Sequence, residues 1–253
     1  MTKVVLTRGF RNPIHSLRLY IHRYVHLGYR NLDLDFKNSY VWNFGKSPRT
    51  PFREVLDSLD ISVTTSVVLP PEATDHSITI GETLVLASLV ASLQPKAILE
   101  IGTGTGFTSL IMSINVPITT RVTTIDLPIL STRKTLKTKI KPIYWNQDLD
   151  SNSEAEVRLR EQKNVSREFM DSADLGQKVE QSFDLIFIDG CHDYSYVVND
   201  SQHAFRLIKP GGLVVWHDYG MLPDVSRYLD EISRVKDVHV IRGTRFALWR
   251  CAD

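Results

Sequence analysis

Two short stretches of this chain concentrate groups that can move protons or hold cations. One is Ile188-Asp189-Gly190-Cys191-His192-Asp193-Tyr194, the other Trp216-His217-Asp218-Tyr219. Each follows an apolar run, Phe183 to Ile188 and Leu213 to Trp216, of the kind that makes a buried parallel strand. If the two strands open at one sheet edge, three carboxylates (Asp189, Asp193, Asp218) and two imidazoles (His192, His217) converge there. A histidine near its ordinary pKa is a competent base toward a hydroxyl. Carboxylates ligate hard divalent cations, and a bound cation lowers the pKa of a hydroxyl it touches. Plainer roles stay open: Asp189 can cap the following helix, and a loop histidine can be a hydrogen-bonded structural group. Tyr194, Val197 and Asp200 share a helical face, where core packing is the simpler reading.

A third stretch, Leu99-Glu100-Ile101-Gly102-Thr103-Gly104-Thr105-Gly106-Phe107, joins an apolar run to a helix. Its glycines permit a sharp turn and close approach of a ligand, and the helix behind offers free N–H groups. A dinucleotide fingerprint would place its third glycine at position 107, where phenylalanine stands. Glu100 would repel a pyrophosphate and suit a positively charged ligand, such as the ammonium and sulfonium of S-adenosylmethionine. Both features argue against a dinucleotide oxidoreductase. Asp126 ends the next apolar run, about twenty residues on, where a carboxylate can accept both hydroxyls of a ribose. A turn or helix-capping role before Leu127-Pro128 is its alternative.

The elements that must position these groups follow from periodicity. Helices are expected over Ile80–Leu93, buried all round, and over Thr108–Ile114, Ser195–Ile208 and Val225–Val235. Strands are expected at 97–101, 122–125, 167–170, 183–188, 213–216, 238–241 and 246–249, with Lys209-Pro210-Gly211-Gly212 stopping the helix before the fifth. Ser153 to Lys163 suits an exposed helix. The alternation implies a doubly wound, Rossmann-like α/β fold with a mostly parallel seven-stranded sheet and an antiparallel C-terminal edge strand. Residues 1–76 are irregular and broken by Pro13, Pro48, Pro51, Pro70 and Pro71, with short helices at Ser16–Leu27 and Arg53–Leu59. They are expected to form a substrate lid or a homo-oligomer contact beside a domain spanning 77–253.

Glu-Ile-Gly-Thr-Gly-Thr-Gly, the acidic residue that follows, and Phe-Asp-Leu-Ile-Phe-Ile-Asp-Gly resemble the class I S-adenosylmethionine-dependent methyltransferases over roughly residues 77–250. The resemblance implies cofactor contacts along Glu100, Gly102, Thr103, Gly104 and Gly106, with Glu100 and Gly102 at the methionine end and Asp189 at the same edge. It implies Asp126 on the ribose and Asp171 and Ser172 beside the adenine. Asp-Gly-x-His-x-Tyr-x-x-Val-x-x-Asp, then Pro-Gly-Gly and His-Asp, is similar to natural-product and sugar O-methyltransferases of the macrocin O-methyltransferase and cephalosporin-hydroxylase-like kind. That likeness makes His192 the general base and Asp189 and Asp218 ligands of a divalent cation such as Mg2+. His217, the third ligand position, is often a carboxylate in those relatives; histidine there favours a softer cation or weakens magnesium binding.

Charge limits the partners. Thirty basic residues against 29 acidic ones give a net charge of +1, with no overall field toward nucleic acid or an anionic membrane. No Asn/Asp-Pro-Pro-Tyr motif for attack by a base amine is present. Arg133, Lys134, Lys137, Lys139 and Lys141 read as solvated surface, and His15, His22, His26, His76, His203 and His239 as structural or surface groups. The longest run of low polarity, Thr83 to Leu93, is too short to span a bilayer, and no signal-type stretch follows the first ten residues. Two separated cysteines, Cys191 and Cys251, suit a reducing cytoplasm. The expected activity is methylation of a hydroxyl on a sugar or secondary metabolite. A nucleic-acid or protein methyltransferase on the same fold, or a non-catalytic cofactor-binding module, is the alternative.

Overall fold

The computed structural model describes residues 45–62, 66–70, 78–127, 136, 154–178 and 182–252. The expected Ser16–Leu27 helix, the 133–141 lysine cluster and His15, His22, His26 and His76 lie outside them. In chain order the elements are β1 (Arg49–Thr50), α1 (Phe52–Ser58), α2 (Ile80–Leu93), β2 (Ala97–Ile101), α3 (Phe107–Ile114), β3 (Arg121–Asp126), α4 (Glu154–Glu161), β4 (Val165–Phe169), a 3-10 turn (Ser172–Asp174), α5 (Leu175–Lys178), β5 (Phe183–Ile188), α6 (Tyr194–Leu207), β6 (Ile208–Trp216), α7 (Pro223–Ile232), β7 (His239–Ile241) and β8 (Ala247–Arg250). No helix among the described residues is long and apolar enough to cross a membrane.

The strands form one sheet in the order β1-β7-β8-β6-β5-β2-β3-β4, parallel except where β8 runs against β6 and β7. Side chains alternate across each strand. Ile98, Leu185 and Phe187 face one core layer with α1 to α4; Leu99, Ile101, Ile186 and Ile188 face the other with α6 and α7. From central β2 the chain steps outward through β3 and β4, then crosses back to β5 on the other flank of β2. That reversal opens a crevice above the C-terminal ends of β2 and β5, where such sheets bind ligands.

Three details differ from the periodicity. The sheet has eight strands rather than seven, because Arg49–Thr50 pairs with β7 at the edge. A two-residue strand carries no alternation to read, so its pairing is visible only in three dimensions. Behind it α1 buries Val55 and Leu56, and Leu59 and Ile61 follow them into the core, so the described part of segment 1–76 shares the packing of the rest. Second, β6 begins at Ile208, before the glycines expected to precede it. Phe183 pairs with Ile208 but Leu185 with Leu213, so the strand bulges around Gly211, whose φ is +72°. Third, α2 is not buried all round: Ile80 and Leu84 are exposed.

Two carboxyls are sealed inside this core. Glu100 on β2 has no exposed surface, and its Oε2 accepts hydrogen bonds from Ser109 Oγ and from Thr124 Oγ1 at 2.5 Å. Burial pushes its pKa up to about 8, against those two hydrogen bonds. Asp200 on α6 is equally buried and pushed up to about 7 by the same cause. Burial thus favours the protonated form of both. Their stabilisation is complete below the unfolded carboxyl pKa and is lost as pH rises through about 7 and 8.

Two outcomes are expected. Leu56→Ala, at a fully buried position, should lower the unfolding free energy by about 2–5 kcal/mol in urea titrations, whereas a cost near zero would place α1 outside the core. Between about pH 5 and pH 8 these two groups should lower the melting temperature, and Glu100→Gln should remove part of that fall; an unchanged slope in the variant would mean that Glu100 is not the titrating group.

Candidate active site

The glycine loop is shaped by what it must touch. Gly102 has a φ of +99° and lies against the start of the loop after β5. A Cβ there would collide with the Asp189 carbonyl and stand 2.8 Å from Gly190 Cα. The two loops thus meet backbone to backbone, tied by Asp189 N–H donating to Ile101 O at 2.8 Å, while Gly102 N–H donates to Ile125 O of β3 at 2.9 Å. Gly104 (φ +50°) instead faces open space. Its N–H donates to Asp126 Oδ2 at 2.9 Å, and Leu127 N–H donates to Oδ1 at 2.7 Å. Burial raises the Asp126 pKa while these hydrogen bonds work against the rise. Thr103 Oγ1 lies 2.7 Å from Thr124 Oγ1, which in turn donates to Glu100. Glu100, expected at the methionine end of a cofactor, is instead packed beneath the loop as part of this hydroxyl–carboxyl prop.

A cleft runs from Gly102 past Asp126 and Leu127 to Asp171, Ser172, Gly190 and Cys191. Asp171 caps the 3-10 turn through Ala173 N–H at 3.0 Å and accepts from Tyr196 Oη at 3.1 Å. Tyr196, on the inner face of α6, lines the same wall. The cleft therefore offers a carboxylate at the end of β3, a loop of small residues, and an aromatic and polar wall after β4.

Beside it the ends of β5 and β6 lie in register, Ile188 opposite Trp216, so the residues that follow fall together. Asp218 adopts a left-handed backbone, φ +61°, which aspartate tolerates better than most residues. His192 Nε2 lies 3.4 Å from Asp189 Oδ1 and 3.2 Å from Asp218 Oδ2. His217 Nδ1 lies 3.0 Å from Asp189 Oδ2 and 3.5 Å from Asp218 Oδ1, and its Nε2 is 3.6 Å from Glu82 Oε2. Burial opposes charge on His217, but Asp189 and Asp218 outweigh it and hold the pKa up at about 10. The same two carboxylates raise His192 against its own burial. Burial likewise works against Asp189, and the two imidazoles hold its pKa well below the carboxylate range.

Exposure separates the two histidines. The His217 side chain is 5% exposed and walled in by carboxylates; that of His192 is 36% exposed. The group whose ligand atoms come within 4.8 Å of one another is Asp189, His192 and Asp218. So Asp189 and Asp218 meet as expected, while His217 sits behind them as an internal partner rather than at the mouth. Asp193, the third carboxylate of the stretch, stands at the N-cap of α6 without a side-chain capping bond.

Two residues that sequence reading passed over complete the site. Arg245, in the turn before β8, donates from NH1 to Asp218 Oδ1 at 3.0 Å and from Nε and NH2 to the two oxygens of Glu82 at 2.9 and 2.6 Å. Glu82 is the N3 residue of a capping box with Thr79 at the start of α2. The Thr-x-x-Glu spacing of residues 79–82 carried that signal; nothing local marked Arg245.

Residues 99–219 match the family model described as a methyltransferase domain. No curated protein matches the chain in sequence. The O-methyltransferase TomG from Streptomyces achromogenes, involved in tomaymycin synthesis and crystallised with SAM, is 16% identical with a TM-score of 0.51, covering 88% of this chain and 96% of its own. The O-methyltransferase from Bacillus cereus in complex with SAH is 14% identical with a TM-score of 0.50, covering 94% and 97%. The SAH-bound methyltransferase PaMTH1 from Podospora anserina is 16% identical with a TM-score of 0.52, covering 83% and 90%. At such identities the likeness is one of fold. The matched residues span the glycine loop, Asp126 and both acidic loops, so this part of the chain is similar to a methyltransferase domain.

Proposed function

We propose that the protein transfers a methyl group from S-adenosylmethionine to a hydroxyl on a small molecule, with His192 as general base. The observation that carries this reading is the partly exposed His192 imidazole, held within 3.4 Å of two carboxylates and next in the chain to Cys191 of the cleft wall. The chain's groups fit the cofactor. Asp126 is the carboxylate for the ribose hydroxyls, the open face at Gly104 admits the cofactor's middle, and Asp171, Ser172 and Tyr196 border its adenine. Bound there, S-adenosylmethionine supplies an electrophilic methyl group on its sulfonium. His192 takes the acceptor's proton, and Asp189 and Asp218 stabilise the imidazolium that results.

The same carboxylates fit a divalent cation. Asp189 Oδ1 and Asp218 Oδ2 point to a common centre, while their second oxygens are anchored on His217 and Arg245, the outer support that ligating carboxylates usually have. A cation there would lower the acceptor's pKa and leave His192 to receive the proton. A second reading makes His192 Nε2 the third ligand, favoured by the mutual closeness of the three groups. The near-neutral charge supports a small-molecule acceptor over nucleic acid. Cys191 and Cys251, neither in a disulfide, support a reducing cytoplasm. Segment 1–76 remains our candidate for acceptor closure or homo-oligomer contact.

Calorimetry should show S-adenosylhomocysteine binding and no comparable binding of NAD; Asp126→Ala should weaken it about 10- to 100-fold. Equal affinity in that variant would remove Asp126 from the ribose. An acceptor screen read by mass for one added methyl identifies the hydroxyl. On that acceptor His192→Ala should lower kcat about 10²- to 10⁴-fold. If the variant keeps its Mn2+ affinity, the base reading stands; if it loses both, His192 is a ligand.

A further inference from the structure

Glu82 lies twenty positions before the glycine loop and belongs to no motif for methyl transfer, yet it contacts both Arg245 and His217 behind the acidic cluster. Its carboxylate is 1% exposed. It accepts from Arg245 Nε, NH2 and backbone N–H, the last at 2.7 Å, and stands 3.6 Å from His217 Nε2. It also accepts from Thr79 N–H at 2.8 Å as the return half of the capping box. Arg245 is permanently charged, and its remaining contact with the site runs through NH1 to Asp218 Oδ1.

These contacts decide how much negative charge the site presents. With Glu82 ionised, Arg245 forms a two-pronged pair with it and leans on Asp218 with one nitrogen. Asp218 Oδ2 is left to face His192. Without the Glu82 charge, Asp218 would be the one carboxylate hydrogen-bonded to the buried guanidinium among the described residues, with Asp189 acting on it at longer range. It would close on Asp218 with its full fork and quench one of the two charges on which a cation depends.

We propose that Glu82 is a positioning residue that sequesters Arg245, so that Asp189 and Asp218 keep their charge and orientation for a divalent cation; this rests on the cation site read above. Substitution can separate this duty from the capping one, because glutamine serves at N3 of a capping box as glutamate does. Glu82→Gln therefore keeps the helix start and loses the charge. Thr79→Ala breaks the box and keeps the charge.

The probe is Mn2+ alone, its binding followed by electron paramagnetic resonance on the full chain, with melting temperature recorded in parallel. Glu82→Gln should weaken Mn2+ binding about 10- to 100-fold, the range for losing an outer partner of a metal ligand. Thr79→Ala should bind as the wild type despite a lower melting temperature. The double variant Glu82→Gln/Arg245→Met removes the quenching guanidinium but also its anchor on Asp218, so it should recover part of the lost affinity and bind Mn2+ more tightly than Glu82→Gln. Replacing a whole buried ion pair with neutral groups of similar volume is commonly tolerated, which keeps the double variant folded. Wild-type affinity in Glu82→Gln, or a double variant weaker than Glu82→Gln, overturns the proposal and leaves the cation site standing. A wild-type chain that binds no Mn2+ overturns both.

Discussion

The contact between Gly102 and the backbone of Asp189 and Gly190 is the constraint on which the site depends. Parallel strands β2 and β5 bring their C-terminal loops side by side, but the loops merge only because residue 102 has no Cβ. The left-handed φ of Gly102 turns the chain away from β2 at the point of contact. One loop then leads to Gly104 and Asp126, the side we propose for the cofactor; the other leads to His192, the base in that proposal. A side chain at 102 would drive apart two halves that must work within a few ångströms, since transfer requires acceptor oxygen and methyl carbon in line and in contact.

Charge behind this junction is arranged in layers. Next to the sheet, Glu100 is buried with hydroxyl partners and is neutral at physiological pH, so it props the glycine loop without projecting a field into the cleft. One layer out, Asp189 and Asp218 hold two imidazoles between them. Behind these, Glu82 and Arg245 form a pair with 1% and 12% of their side chains exposed. Carboxyl groups of one chemical type thus do three jobs, and burial with the nearest donor decides which.

Much of this could be read from the chain. Glycine spacing, apolar runs and the acidic strand ends locate the sheet, the loop and the cluster, because each is written within a few consecutive residues. Two kinds of feature escaped. Arg49–Thr50 becomes a strand through its partner β7 alone, too short for any period to show. Arg245 and Glu82 lie 163 positions apart, and their pairing is a product of the fold. Glu100 and His217 show a subtler limit: their positions beside the site were legible, but not which way they faced. An even-numbered residue of β2 points with Ile98 into the helical layer, and that puts Glu100 under the loop rather than in it.

The Glu82–Arg245 pair also bears on why the site can be both acidic and stable. Two carboxylates brought this close repel each other, and the two imidazoles between them offset that repulsion. A buried ion pair adds little net stability of its own, because desolvation consumes most of the Coulomb gain. Its value here is geometric. It is anchored at the capped start of α2 and in the turn before β8, two elements from opposite ends of the domain. The left-handed Asp218 is held from behind by Arg245 NH1 and from the side by the backbone that follows it, where Met221 and Leu222 donate to its carbonyl. The acidic edge is therefore fixed by elements at both ends of the domain, and the base role we propose for His192 draws on that preorganisation, which holds its imidazole at one position between two carboxylates.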